Sequence, residues 1–385
     1  MPKLESSKKT KLKHRIRQIP FARGYHPPSY KQQLAAIGFK HNEMPLEYSD
    51  IESEDKFFTP IPQPKSVDDW LAQYVEDGQS FREYLKENPW FSKRKSKFIR
   101  QTFISNGGTL CEKFPEGKIY IAKIGEFSDQ DIQFDDLIDY VRRFLCVPVQ
   151  ILDGLEIEKR NNDLIFVEKP AFSPSSRPGA RVKKSCIETR YSAKTKHIQI
   201  GVDSILTKMR NIIPKDALCL VGLTPYDLYG DESDLFVAGM AAGNRRVAVF
   251  SLMRYNPALT FSKEHWFDIK ENQIVSLVDK QRLILQRSCK LVVHEICHLL
   301  GLPHCVYFRC CMNGSGHLQE DFDQPMMLCP VDLHKLQALI GFHVSERYQR
   351  LLEFYKIHHF TEEAAWTERR LKFLQSKESG NGSTK

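Results

Sequence analysis

Eleven consecutive residues constrain this 385-residue chain more than any other feature: His294-Glu295-Ile296-Cys297-His298-Leu299-Leu300-Gly301-Leu302-Pro303-His304. Residues four apart on an α-helix differ by about 40° in direction, so His294 and His298 project from one face, one turn apart. Two imidazoles set that way can share a zinc ion at Zn–N distances of about 2.0–2.1 Å. Gly301 allows the positive φ needed to leave the helix sharply, and the chain can then return His304 to the same ion. Three neutral nitrogen ligands leave a fourth position for water, the arrangement of a catalytic rather than a structural zinc.

Glu295 follows the first ligand and carries the remaining role. A carboxylate beside zinc and its water can act as general base, because the metal lowers the pKa of that water from 15.7 toward ~7. The implied reaction is amide hydrolysis by a metal-activated water. A bare HExxH is a short pattern that recurs by chance. Here the glycine and the third histidine are also in place, so a structural explanation would have to hold for three histidines at once. Cys297 sits on the helix beside the ligand face and is read as a buried, inert thiol.

The cysteines point to a second metal. Ten occur in the chain, and five of them fall between positions 297 and 329. The sequence opens without an apolar core of the kind a signal peptide carries, so a disulfide framework is not expected. Clustered cysteines in a reducing compartment read as metal ligands. Cys305, Cys310 and Cys329 have suitable spacing, and Cys311, Asp332 and His334 are the candidates for a fourth ligand. Cys111, Cys146, Cys186, Cys219 and Cys289 are scattered, and most are expected to be buried thiols. Cys111 is also a candidate switch cysteine, a role that nothing else in the sequence supports.

Charge is uneven along the chain. Residues 1–24 carry eight basic side chains against one acidic, leaving 48 basic and 47 acidic residues elsewhere, so the formal +8 belongs almost wholly to this tail. It is expected to be a disordered tail, with nuclear import as a candidate role; nucleic acid is not expected as a partner. No apolar stretch approaches the ~20 residues a membrane span needs, so no membrane association is expected. The expected location is intracellular and cytoplasmic, or nuclear through the tail.

Regular structure is expected from residue 118 onward. Residues 25–117 are punctuated by prolines and read as an extension of low internal order, with short helices at Trp70 to Val75 and Phe81 to Trp90. Lys118 to Gly125 alternates as a strand, a helix spans Ile132 to Leu145, and Val147 to Leu152 is a second strand, suggesting a parallel βαβ unit. Ala171 to Lys184 reads as a loop. Lys196 to Val202 reads as a strand, followed by a helix capped by Asp203. Ala217 to Thr224 is nearly continuous in apolar residues, as for a central strand buried on both faces. Phe236 to Ala242 and Arg245 to Tyr255 read as an antiparallel hairpin. A long helix is expected over Val275 to Leu300, with shorter ones over Val331 to Ile340 and Ser345 to Tyr355 and a polar tail after Phe373.

The motif and its surroundings resemble the archaemetzincins, zinc metalloproteases of peptidase family M54. The match runs through His294, Glu295, His298, Gly301, His304, Cys305, Cys310, Met312 and Cys329. It is supported by Lys118 to Gly125, Arg287-Ser288-Cys289-Lys290 and Leu333-His334-Lys335-Leu336-Gln337, and spans about residues 118–355. The resemblance implies an α/β, metzincin-like zinc metalloprotease domain. Such a domain has a mixed twisted sheet with an antiparallel edge strand, a long HExxH helix and a small C-terminal zinc-bearing subdomain. It implies that His294, His298 and His304 bind the catalytic zinc, that Glu295 is the base, and that Met312 is the Met-turn residue. It also implies that Cys305, Cys310 and Cys329 join a second, structural zinc.

The family's last cysteine falls at Asp332, a harder donor. The resulting expectation is a Cys₃Asp site weaker than Cys₄, with Cys311, His334 or an empty site as alternatives. The expected organisation is a tail at 1–24, an extension at 25–117, the catalytic domain at 118–355, and a C-terminal helix or polar tail at 356–385. A peptide or protein is the expected substrate, the alternative reading being a catalytically weak or inactive zinc-binding structural or partner-binding protein. Arg245 to Tyr255 is the candidate edge strand that pairs with it, and Arg254 is a candidate for its carboxylate. Whether the enzyme trims ends or cuts internally is open, as is its oligomeric state.

Overall fold

The computed structural model describes residues 17–18, 25–40, 43–49, 56–96, 99, 101–127, 132–152, 155–160, 163–168, 183–193, 197–257 and 276–381. Its organising layer is a mixed five-stranded sheet whose side chains alternate between two cores. The N-terminal part contributes β1 (Arg17–Gln18), α1 (Tyr30–Ile37), α2 (Trp70–Gln73), β2 (Tyr74–Val75), α3 (Phe81–Glu87) and α4 (Leu110–Lys113). Next come β3 (Lys118–Lys123), α5 (Phe134–Leu145), β4 (Val149–Leu152), β5 (Leu155–Arg160), β6 (Asp163–Glu168), β7 (Lys183–Cys186), β8 (Thr189–Ser192) and β9 (His197–Gly201). They are followed by α6 (Val202–Ile212), β10 (Ala217–Thr224), β11 (Asp227–Tyr229), β12 (Gly239–Ala242) and β13 (Val247–Ser251). The C-terminal third is helical: α7 (Leu277–Leu299), α8 (Leu318–Asp323), α9 (Pro330–Ile340), α10 (Val344–Ile357) and α11 (Thr361–Asn381).

The main sheet has the order β12-β13-β10-β3-β4. All eight residues of β10 are buried, as its apolar run requires of a strand with parallel partners on both sides. The period of two then sorts the side chains. Ile119, Ile121, Val221, Ala248 and Phe250 join the core shared with α5, α7, α9 and α10. Tyr120, Ala122, Leu220, Val247 and Val249 face the smaller core that holds α6. The smaller core also takes residues from two three-stranded sheets, β5-β6-β7 and β11-β9-β8.

Several details differ from the sequence reading. The hairpin of β12 and β13 is antiparallel, but β13 runs parallel to β10 inside the sheet and β12 is the edge. Val247–Ser251 is buried along its whole length, which suits an inner strand, whereas residues of the Gly239–Ala242 strand are partly or fully exposed. Asp203 lies in the first turn of α6, and Gly201 is the cap residue. Arg254 is buried rather than exposed, and forms a bidentate pair with Asp227 at 2.8 and 2.7 Å. Of the scattered cysteines, Cys219 and Cys289 are buried, Cys111 and Cys146 are partly buried and Cys186 is exposed. Residues 171–182 and most of residues 1–24 lie outside the described residues; Arg17 and Gln18 pair antiparallel with Val75 and Tyr74.

The largest difference concerns residues 25–117. This segment shares one hydrophobic core with the helical third, through Ile37, Tyr84, Trp90, Leu110 and Phe114. Its helices are short but well capped, with reciprocal capping boxes at Ser29/Gln32, Ser80/Glu83 and Thr109/Glu112. It also completes α7. That helix ends in a Schellman turn, in which Gly301 at φ 90° donates to the His298 carbonyl at 2.9 Å and Leu302 donates to Cys297 at 3.0 Å. Two further carbonyls at this end are satisfied from the extension. The Trp90 indole donates to Leu299 O at 3.1 Å, while Asn88 Nδ2 at 2.8 Å and the Tyr84 hydroxyl at 3.2 Å donate to Leu300 O. Replacing Trp90 by alanine removes both a buried ring and one of these caps. The expected loss is about 3–5 kcal/mol of stability, measured by chemical denaturation.

Candidate metal centre

His294 and His298 lie in the last two turns of α7, and His304 lies just beyond the Gly301 turn. Their ring centroids are 4.6 Å apart for His294–His298, 4.9 Å for His298–His304 and 5.5 Å for His294–His304. One ring nitrogen from each lies within 4.8 Å of the others. Each Nδ1 is already engaged. His294 Nδ1 donates to Cys311 O at 2.6 Å, His298 Nδ1 to Leu302 O at 2.6 Å, and His304 Nδ1 to Glu76 Oε1 at 2.8 Å. Those bonds fix the tautomer and leave every Nε2 as the available donor, the orientation that metal-bound histidines adopt.

The electrostatics favour neutral rings. Burial, reinforced by the neighbouring His304, pushes the pKa of His294 down to about 3. Burial and the other two rings also hold His298 well below the ordinary imidazole range. Neutral imidazoles are the ligand form. All three histidines remain partly exposed, so an ion held by them is open to solvent on one side.

Glu295 occupies the same helical turn. Burial first, and then the Asp321 carboxylate, raise its pKa to about 8. Asp321 belongs to α8, whose position is fixed by residues preceding the motif. The Lys290 ammonium, at the core face of α7, donates to the carbonyls of Asp321 (3.1 Å), Phe322 (2.6 Å) and Gln324 (3.0 Å). It thereby caps the C-terminal end of α8 with a positive charge. Arg287 donates to Tyr255 O at 3.2 Å and lies 3.8 Å from the centroid of the Phe322 ring.

A second cluster begins one residue after His304. Cys305, Cys310, Cys329 and Asp332 are all buried, and their ligand atoms lie within 4.8 Å of one another. Cys305 Sγ is 3.5 Å from Cys329 Sγ, while Asp332 Oδ2 is 3.4 Å from Cys310 Sγ and 3.6 Å from Cys329 Sγ. Ligands about 2.3 Å from a tetrahedral zinc stand about 3.7 Å apart, so these spacings suit one ion. The remaining oxygen of Asp332 pairs with Lys335 Nζ at 3.0 Å. Cys329 caps α9, which places Asp332 in its first turn. Asn313 shapes the intervening loop, donating to Cys305 O at 2.8 Å and Phe308 O at 2.9 Å.

The alternatives for the fourth ligand lie elsewhere. His334 is stacked on Phe39 and Phe81, and its Nδ1 is bonded to Ile37 O at 2.7 Å. Cys311 is buried outside the cluster, with its carbonyl on His294. Met312 is fully buried, and its carbonyl accepts from Cys305 N at 2.7 Å. Cys297 is buried, as expected, and burial raises its thiol. Cys111 belongs to neither cluster.

Sequence reasoning missed Glu76, Trp70 and Asp321. Trp70 stands edge-on to His304, with ring centroids 5.0 Å apart. Also missed was a third group, Asp69, His317 and Glu320. Its polar atoms are largely spent on backbone and on each other: Asp69 accepts from Lys65 N at 2.6 Å and pairs with His317 at 3.0 Å, and Glu320 accepts from Trp70 N at 2.9 Å and Gly316 N at 2.6 Å. Little in the local sequence marks these residues, because their partners lie about 250 positions away.

Comparison with known proteins agrees with this chemistry. Residues 178–338 match the family model described as Peptidase family M54. Archaemetzincin-2 of Homo sapiens is 37% identical over 300 residues, covering 75% of this chain and 72% of that protein. Archaemetzincin-2 of Mus musculus is 30% identical over 315 residues, covering 79% and 76%. The crystal structure of archaemetzincin from Archaeoglobus fulgidus, complexed with malonate, is 22% identical and aligns with 57% of this chain and 99% of its own, at a TM-score of 0.35. Two relatives at 30% identity or more, each matched over more than two thirds of its length, place the chain in their family: it belongs to the archaemetzincins of peptidase family M54 and is a zinc metallopeptidase.

Proposed function

We propose that His294, His298 and His304 hold the catalytic zinc through Nε2, and that Glu295 is the general base for hydrolysis of a peptide bond. The observation that carries this reading is the set of three Nδ1 hydrogen bonds, which leaves the three Nε2 atoms free to meet at one point. When bound, zinc supplies a Lewis acid that polarises the scissile carbonyl and makes water acidic enough to attack. Glu295 takes the proton. As a base Glu295 must be ionised, and a dication beside it would favour the carboxylate over the protonated form that burial favours in the metal-free chain.

Cys305, Cys310, Cys329 and Asp332 hold a second, structural zinc in this reading. The two clusters differ in the way that separates catalytic from structural sites. The histidines are partly exposed and offer three ligands, whereas the second cluster is closed and offers four. Lys335 lowers the net negative charge that three thiolates and a carboxylate would otherwise bury.

A peptidase acts on a peptide or protein, and the fold offers an edge to receive one. Among the described residues β12 pairs with β13 on one side only, and it packs against α7, the helix that bears the histidines. An extended substrate added to Gly239–Ala242 would be held by backbone hydrogen bonds, with little demand on its side chains. We take residues 118–355 as the metzincin-like catalytic domain. Residues 25–117 serve as a brace that caps α7, and residues 356–385 are taken as a C-terminal unit built on the helix Thr361–Asn381.

Glu295→Gln tests the assignment of the base. Hydrolysis of a peptide library should fall by about 10²–10⁴, with metal content unchanged at about two zinc ions per chain. An unchanged rate would contradict the role. Chelation should abolish cleavage and zinc should restore it, whereas one zinc per chain in the native protein would refute the second site.

A pH series on the metal-free protein tests the burial of Glu295 separately. Its folded pKa is raised from 4.5 to about 8, so it stabilises the fold fully below 4.5 and that contribution is lost as the pH rises through about 8. Chemical denaturation should therefore show wild type losing stability relative to Glu295→Gln across this window. Parallel curves would mean that the carboxyl is solvated.

A further inference from the structure

The segment preceding α3 reaches the histidine site with a buried carboxylate. The Glu76 side chain is 8% exposed, and its Oε1 accepts the His304 Nδ1–H at 2.8 Å. Its other oxygen, Oε2, is buried without a hydrogen-bond partner among the described residues. Among the same residues its partner His304 is charged only if protonated, and no lysine or arginine joins it. A carboxylate removed from water with a single hydrogen bond is strongly unfavourable unless a positive charge lies close by.

The backbone leaves Glu76 little freedom to turn away. Before it, Asp69 and the Trp70 amide are tied to His317 and Glu320. The close approach there depends on Gly316, where a Cβ would lie 2.1 Å from Asp68 O. After it, Gly78 at φ +71° packs against Val306 and Tyr307, two and three residues beyond His304. Trp70 fills the edge of the His304 ring. The segment 65–78 is thus pinned on both sides of the third histidine, and the carboxylate of Glu76 meets that ring.

We propose that Glu76 is a positioning residue of the catalytic zinc site, orienting His304 through Nδ1 and balancing part of the charge of a dication on Nε2. The inference rests on reading the three histidines as a zinc site. It deepens that reading by adding to the metal centre a carboxylate from residues 65–78, outside the stretch that matches the family model. A carboxylate behind a ligating imidazole makes it a stronger donor, and removing such a partner typically weakens metal affinity about 10–100-fold. The same carboxylate burdens the metal-free fold, because its charge then lacks the ion it faces.

The test uses the full-length protein, metal-free, as wild type and as Glu76→Gln, which keeps shape and a hydrogen-bond acceptor but removes the charge. Cobalt(II) is titrated in competition with a chelator. The histidine site is read from its ligand-field bands, and the cysteine site from its sulfur-to-cobalt charge-transfer bands. The expected result is a ten- to hundredfold weaker histidine site in Glu76→Gln and an unchanged cysteine site. The thermal midpoint of the metal-free variant should be equal to or above that of wild type. Histidine-site affinities within twofold of each other would overturn the proposal. A metal-free midpoint that falls along with affinity would also overturn it, since Glu76 would then act through packing alone. If wild type takes up no cobalt at the histidines, the zinc-site reading fails with it; wild-type uptake matched by the variant sinks only the role of Glu76.

Discussion

The metal centre depends on how one helix is finished. An α-helix leaves its last carbonyls unpaired, and at the end of α7 these belong to the turn that aims His298 and releases His304. The chain satisfies them with the Gly301 turn and with Trp90, Asn88 and Tyr84 from a distant segment. The helix end that sets the angle between two of the histidines and the third is therefore anchored by side chains that are not part of the motif. The histidines then need only one hydrogen bond each to complete their orientation.

Two candidate metal sites lie between α7 and α9, and the contrast between them is chemical as well as geometric. Neutral nitrogen donors face solvent, while thiols and a carboxylate are sealed in the core. His304 and Cys305 are successive residues, one in each cluster, and Cys311 serves the first cluster through its carbonyl while Cys310 serves the second through its sulfur. Asp332 introduces an oxygen among the sulfurs, and Lys335 on the same helix face answers its charge. The two clusters are thus joined through covalent neighbours.

Much of this was legible in the sequence because it rests on local periodicity. The buried run Ala217–Thr224, the strand–helix–strand unit ending at Val149–Leu152 and the helix carrying His294 and His298 all follow from spacing alone. The hairpin was legible but its placement was not: alternation identifies two antiparallel arms without saying which one turns inward, and Val247–Ser251 proved to be the inner strand. The extension was misjudged because helices of four to eight residues are too short to show a period and prolines broke the remainder. The three Ser/Thr-x-x-Gln/Glu capping boxes were the signal available. Arg254 gave no such signal, since burial beside Asp227 is a tertiary fact. Glu76 was equally silent, its partner lying 228 residues away.

That separation has a consequence for biogenesis. Tyr84, Asn88 and Trp90 leave the ribosome more than 200 residues before the carbonyls they cap, so their apolar surfaces wait uncovered while the sheet is synthesised. Closure of these long-range contacts is slow and comes late in folding. The helix that bears His294 and His298 therefore keeps an unfinished end until the N-terminal segment has docked on it.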